Sequence, residues 1–241
     1  NEFSAQHSYF DGHQGINLSF AKFNSKTINF SNSRIGNGTV NFYLAKFGDA
    51  DIYFNNATFG VGDVNFQFAE FGTGKKSFNK AKFQNGKVLF INTIFGKGDV
   101  DFSEVDFGEG DISFHYATFD TGDISFHKAI FRNGNVDFRR AEFGDGKIDF
   151  KRVHFGNGKV SFEETEFKSG KISFRSSIFG TGDVSFEMAD FGSGDVLFEK
   201  VSFGTGHVCF FNAKFETLSF QGSLLNNYLD LRVAQGNCSQ G

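Results

Sequence analysis

Phenylalanine recurs at alternating intervals of five and seven residues from Phe42 to Phe215 without a miss, and these positions take 30 of the chain's 38 Phe. The unit is twelve residues long and reads roughly A-x-F-G-x-G-x-V-x-F-x-x, as in the run from Ala189 through Phe191 and Val196 to Phe198. Val196 and Phe198 stand two apart, as do Ala189 and Phe191, so each pair points to one side of a short strand. Two residues separate the pairs on one side and four on the other. Neither linker is long enough for the helical crossover that joins parallel strands in an open sheet. The remaining solution is a coil that advances by one strand spacing per turn, in which each unit buries its apolar face only when neighbours cover it.

Alternate units differ, and that sets the coil length. Positions 40, 64, 88, 112, 136, 160, 184 and 208 are Val except Ile112. The interleaved set 28, 52, 76, 100, 124, 148, 172 and 196 is mostly Ile, with Val100, Val196 and one anomalous Lys76. At the small-residue site Val occurs in only one set (Val105, Val153, Val201), while the other holds Ala and Thr, as at Ala141, Thr165 and Ala189. Opposite faces of a 24-residue turn would keep separate stacks of this kind, so the pattern predicts an all-β solenoid with 24 residues per coil and a Phe-stacked core. The second glycine of Gly-x-Gly is kept in every unit from Gly38 to Gly206 except Ala50, which implies positive φ or a close backbone approach there.

The regular solenoid is expected over residues 16–215. Residues 1–15 break the rhythm and are expected to form an N-terminal cap over an otherwise open strand edge. For 216–241 the sequence allows a closing coil of five-residue spacing or a short capping helix built on Leu224, Leu225, Tyr228, Leu229 and Leu231, followed by a mobile tail from Gly236. The start, Asn1-Glu2-Phe3-Ser4, carries no Met and no secretory signal, which suggests a processed form or a segment of something longer.

Segments such as Phe54-Asn55-Asn56-Ala57-Thr58-Phe59 and Phe66-Gln67-Phe68-Ala69-Glu70-Phe71 resemble the pentapeptide-repeat family, whose fold is a right-handed quadrilateral β-helix. The resemblance covers about half of each unit; the F-G-x-G-x-V-x-F half is two residues longer. It implies a right-handed parallel β-helix with a widened coil, and it carries over no catalytic residue. Some members resemble B-DNA in shape and charge and bind DNA topoisomerases as dimers.

Composition narrows the function. A net charge of −4 from 24 basic and 28 acidic residues is too balanced to argue for nucleic acid, and it runs against a DNA mimic. No apolar stretch approaches the ~20 residues of a membrane-spanning helix. Two cysteines, Cys209 and Cys238, have no metal-site spacing and are read as free thiols. The histidines (7, 13, 115, 127, 154, 207) show no ligand pairing, and no cofactor or metal site is expected. Gly-x-Gly-Asp also occurs in calcium-binding β-rolls, but Lys at 75, 87, 147, 159 and 171 breaks the Asp series. Where Asp and Lys alternate at these positions, as at Asp63 and Lys87, a ladder of exposed ion pairs is expected. A filled aromatic core leaves no enzyme-like cavity.

The expected function is therefore a non-catalytic structural or protein-interaction rod. The alternatives are a topoisomerase-binding DNA mimic, on the resemblance, and an ice- or surface-binding array, against which the mixed outward stack Asn41, Asn65, Leu89, Ser113, Asp137 argues. Two corner stripes are the candidate surfaces. One is apolar, with Tyr43, Leu44, Phe68, Ile91 and Tyr116, and is the expected place of contact with a protein partner. The other is basic, with Lys128, Lys151, Arg152 and Arg175. Self-association through the rod ends or the apolar corner is the alternative use.

Overall fold

A computed structural model describes residues 1–10, 15–226, 228–232 and 235–239. Among them every secondary-structure element is a strand, two to six residues long, and every strand pairing is parallel. Partners through the body of the chain lie 24 residues apart: Val64 sits between Val40 and Val88, and Ile124 between Val100 and Ile148. The chain is thus a β-solenoid whose coil holds two twelve-residue units.

Each coil has four walls. Wall 1 carries the Val column, in a ten-stranded ladder, and wall 3 the Ile column, in an eleven-stranded one. Walls 2 and 4 start from the small residues and have shorter ladders, a six-stranded sheet on wall 2 and two three-stranded sheets on wall 4. Two-residue corners lead from wall 1 to wall 2 and from wall 3 to wall 4; Gly-x-Gly linkers make the other two bends. At ~4.8 Å per coil, the ten-stranded ladder gives a rod roughly 43 Å long.

The interior is four columns of stacked rings. Phe114 stacks on Phe90 at 4.9 Å and on Phe138 at 4.8 Å, with interplanar angles of 9° and 2°. It meets Phe102 and Phe126 of the facing column edge-on, both at 5.6 Å. Parallel stacking along the axis and T-shaped contact across it are the two arrangements that the ring quadrupole favours. Small residues complete the layers. Where Thr or Ser replaces Ala, the buried hydroxyl donates to a Phe carbonyl of the coil below: Thr93 to Phe66 at 2.7 Å, Thr165 to Phe138 at 2.8 Å, Ser177 to Phe150 at 2.6 Å.

Both ends wind further than the rhythm shows. Glu2–Ser4 pairs with Thr27–Asn29 and Tyr9–Phe10 with Arg34–Ile35, a separation of 25 rather than 24. One extra residue in the first coil hides the period in the stretch set aside as a cap. Residues 11–14, His13 included, lie outside the described residues. At the other end the separation falls to 22 at Val196 and Leu218, 21 at Val208 and Leu229, and 20 at Leu218 and Cys238. Coil length shrinks toward four times five as the Gly-x-Gly linkers disappear. Gln235–Ser239, most of it expected as a mobile tail, is a strand paired with Lys214–Ser219.

Candidate functional site

The corners are built by local chemistry. In each, the carbonyl of the second Phe accepts from the amide three residues on, as Phe42 does from Ala45 at 3.0 Å. The third residue of the turn has positive φ, 55° at Leu44, 56° at Phe68, 55° at Tyr116 and 57° at Lys128. These are the marks of a type II turn, which ordinarily wants Gly or Asn at that place. Here Asn fills it at 32, 56, 92 and 212, whereas Lys, Arg, Glu, Tyr, Phe and Met hold most of the others. The outward residue before the second Phe closes the corner by accepting the amide two residues on: Asn41 from Tyr43 at 3.0 Å, Asn65 from Gln67 at 2.9 Å, Asp137 from Arg139 at 2.9 Å. The mixed Asn, Asp and Ser of that stack are therefore corner acceptors.

The Gly-x-Gly bends have a different cause at their conserved second glycine. Gly134 does not have positive φ, but a Cβ there would lie 1.9 Å from the carbonyl oxygen of Gly110 in the coil below. Close approach between coils accounts for glycine there, while Gly98, Gly122 and Gly146 of the same series have positive φ as well. Ala50 is tolerated above Lys26, in a first coil that has no Gly-x-Gly.

The Asp–Lys ladder takes a form other than ion pairing. Asp63 accepts the backbone amide of Lys87 at 2.8 Å, and Asp51 that of Lys75 at 2.8 Å. Asp99 does the same for the amide of Asp123 at 3.0 Å, so charge on the neighbour is immaterial. In this column only Lys171 and Asp195 form an ion pair among the described residues, at 3.3 Å. The linker amide points along the axis with no carbonyl opposite, and a short carboxylate reaches it.

On the corner between walls 1 and 2, the structure places Tyr43, Leu44 and Ile91 half-buried and Phe68 and Tyr116 exposed. Phe20 extends the row and is 64% exposed. Phe20, Tyr43 and Phe68 touch edge to face at 5.7 and 5.8 Å. The row closes at Tyr116, whose ring is covered by the Arg140 guanidinium at 5.5 Å, itself paired with Glu164 at 3.0 Å. On the corner between walls 3 and 4, Lys151 meets Asp149 at 3.4 Å and Arg175 meets Glu199 at 2.9 Å. Lys128 and Arg152 are exposed and have no ion pair among the described residues.

Two features mimic chemistry without supporting it. Ser113, His115 and Asp137 bring together the residue types of a hydrolytic triad, with His115 Nδ1 3.6 Å from Asp137. Yet Ser113 Oγ is engaged by the His115 backbone amide at 3.3 Å, and Ser125, His127 and Asp149 repeat the arrangement on the opposite wall. It is a product of the repeat. A hollow of about 470 Å³ is an open groove along wall 1 over Leu89, Ser113, Asp137 and Ser161. It exists because small outward residues lie between ridges of longer ones.

Lys76 is the departure the repeat does not explain. It takes an Ile place in the wall 3 column, is fully buried, and its Nζ donates to the Lys97 carbonyl in the linker above. Burial pushes the ammonium down to about 8, against the opposing pull of Asp99, Asp51 and Asp120.

No protein-family profile matches the chain, and no curated protein does. Among solved structures it is similar to HetL, a pentapeptide repeat protein involved in heterocyst differentiation regulation from the cyanobacterium Nostoc. Identity is 13% over 93% of this chain and 91% of that one, with a TM-score of 0.30, a likeness too slight to bear on function. The chain is a parallel β-solenoid with about 24 residues per coil, in which two of the four bends are two residues longer than the other two.

Proposed function

We propose that the chain is a non-catalytic interaction rod whose apolar corner is the contact surface for a protein partner. The observation that carries this reading is the single file of aromatic side chains on a rigid edge, with Phe20 64%, Phe68 41% and Tyr116 43% exposed. Contiguous exposed apolar groups mark interaction surfaces, whereas isolated ones need no explanation. The corner backbone supports it: bulky residues sit at positive φ, where their cost is offset by the stacked coils on either side. The filled core and the engagement of the Ser and Asp side chains in corner closure argue against catalysis. The mixed surface, with free cations on one corner, is not the acidic surface that a DNA mimic would need.

The test is affinity co-purification with identification of the bound protein, comparing the natural chain with Phe20→Ser, Tyr43→Ser and Phe68→Ser together. Recovery is expected to fall by at least about tenfold, the equivalent of roughly 1.4 kcal/mol in binding. Undiminished recovery with an unchanged circular dichroism spectrum removes this corner as the contact.

A further inference from the structure

Wall 4 carries an apolar and cationic surface that the corner reading does not use. Ile130, His154 and Ile178 are register partners in consecutive coils, and the two isoleucines are 39% and 44% exposed. Beside them on the corner stand Lys128, Arg152 and Lys200, all exposed and without an ion pair among the described residues. Their neighbours Lys151 and Arg175 are paired with Asp149 and Glu199, so the free cations are a distinct set.

The opposite side of the same coils has the complementary character. On wall 2, Glu142 and Glu166 are register partners and Glu166 bridges to Asp190, which stacks three carboxylates at one strand spacing. Like charges directly opposite in a ladder are unfavourable. Lower on this wall the ladder avoids the problem, since Lys46 pairs with Glu70 at 2.8 Å. In the acidic stretch only Asp190 has a cation in reach, Lys214 at 3.6 Å.

From this complementarity we infer that wall 4 of one copy of the chain packs against wall 2 of a second copy, with the rods side by side and parallel. Lys128 and Arg152 then meet Glu142 and Glu166, and Ile130 and Ile178 are covered. Lys128 and Arg152, like Glu142 and Glu166, are one strand spacing apart, ~4.8 Å, so a single sideways translation brings both pairs together. The contact is heterologous: every added copy leaves one wall 2 and one wall 4 free, so association continues as an open row rather than closing at a dimer.

Sedimentation velocity of the 241-residue chain over a range of concentrations, at low and high salt, tests this. At low salt the average mass is expected to rise with concentration beyond a dimer, and high salt should reverse it because the pairs are exposed. The double variant Glu142→Lys with Glu166→Lys, and separately Lys128→Glu with Arg152→Glu, should each be monomeric, with association weakened at least tenfold. An equimolar mixture of the two should associate again, because each then offers the charge that the other's wall needs. A natural chain that stays monomeric at low salt overturns the inference. So does a pair of charge-reversed variants that associate like the natural chain, or that fail to associate when mixed while retaining native circular dichroism. The aromatic corner is intact in these variants, so the outcome is independent of the partner reading.

Discussion

Replacing Lys76 with isoleucine restores the residue type of its column, where Ile52 lies below and Val100 above. In the unfolded chain a lysine titrates near 10.4. In the fold, burial brings Lys76 to about 8, despite the favourable pull of Asp99, Asp51 and Asp120. The folded state therefore binds fewer protons than the unfolded state between these two values, and stability rises with pH across that window. Below pH 8 the full cost of holding a buried ammonium is present; above about 10.5 it is relieved. Two and a half units correspond to about 3 kcal/mol. Loss of the hydrogen bond to the Lys97 carbonyl takes back roughly 1 kcal/mol, and burial of a well-fitted aliphatic side chain returns a similar amount. At pH 7, Lys76→Ile should thus be more stable by about 2–4 kcal/mol, and Lys76→Met, which keeps the length of the side chain, by nearly as much. Urea melts followed by circular dichroism at pH 7, 8, 9 and 10 read this directly. The difference between natural chain and variant isolates position 76. The reasoning fails if the variant is no more stable at pH 7, or if its advantage does not shrink as the pH rises to 10.

Phe114→Ala removes a ring stacked on two others and met edge-on by two more, and should cost about 3–5 kcal/mol in a chemical melt. A loss under 1 kcal/mol would contradict its place in the core. Gly134→Ala should cost on the order of 3 kcal/mol or more although its φ is not positive, because the added methyl meets the Gly110 carbonyl. A near-neutral result would mean that the coils can part there. Ser176 has a φ of 59°; Ser176→Gly relieves ~1–2 kcal/mol of left-handed strain against a smaller unfolded-chain entropy term, so the melting midpoint should rise. A fall would show that the side chain is held by contacts worth more than the strain.

The corners were legible as corners, since two residues between apolar pairs can only turn. Which corner charges are free was not legible. Among the described residues Lys128, at the second place of its corner, has no ion pair, whereas Lys151, at the first place of the next corner, meets Asp149 two residues before it. Phe20 was missed although it stands in period, one coil before Leu44, between Ile16 and Lys22, which pair with Val40 and Lys46.

The sequence by itself determined the coil length, the four columns and the separation of Val from Ile walls. A strict period repeats the same local problem at every turn, and only one winding stacks like on like. The tertiary structure decided what happens between coils. It made close approach between coils a reason for the second glycine even where φ is not positive, and it turned the Asp–Lys ladder into carboxylates that accept backbone amides. It also seated bulky residues at positive φ and let the final coils contract to 20 residues. These outcomes turn on distances of an ångström or less between chain segments some 24 residues apart, and residue order alone does not encode such distances.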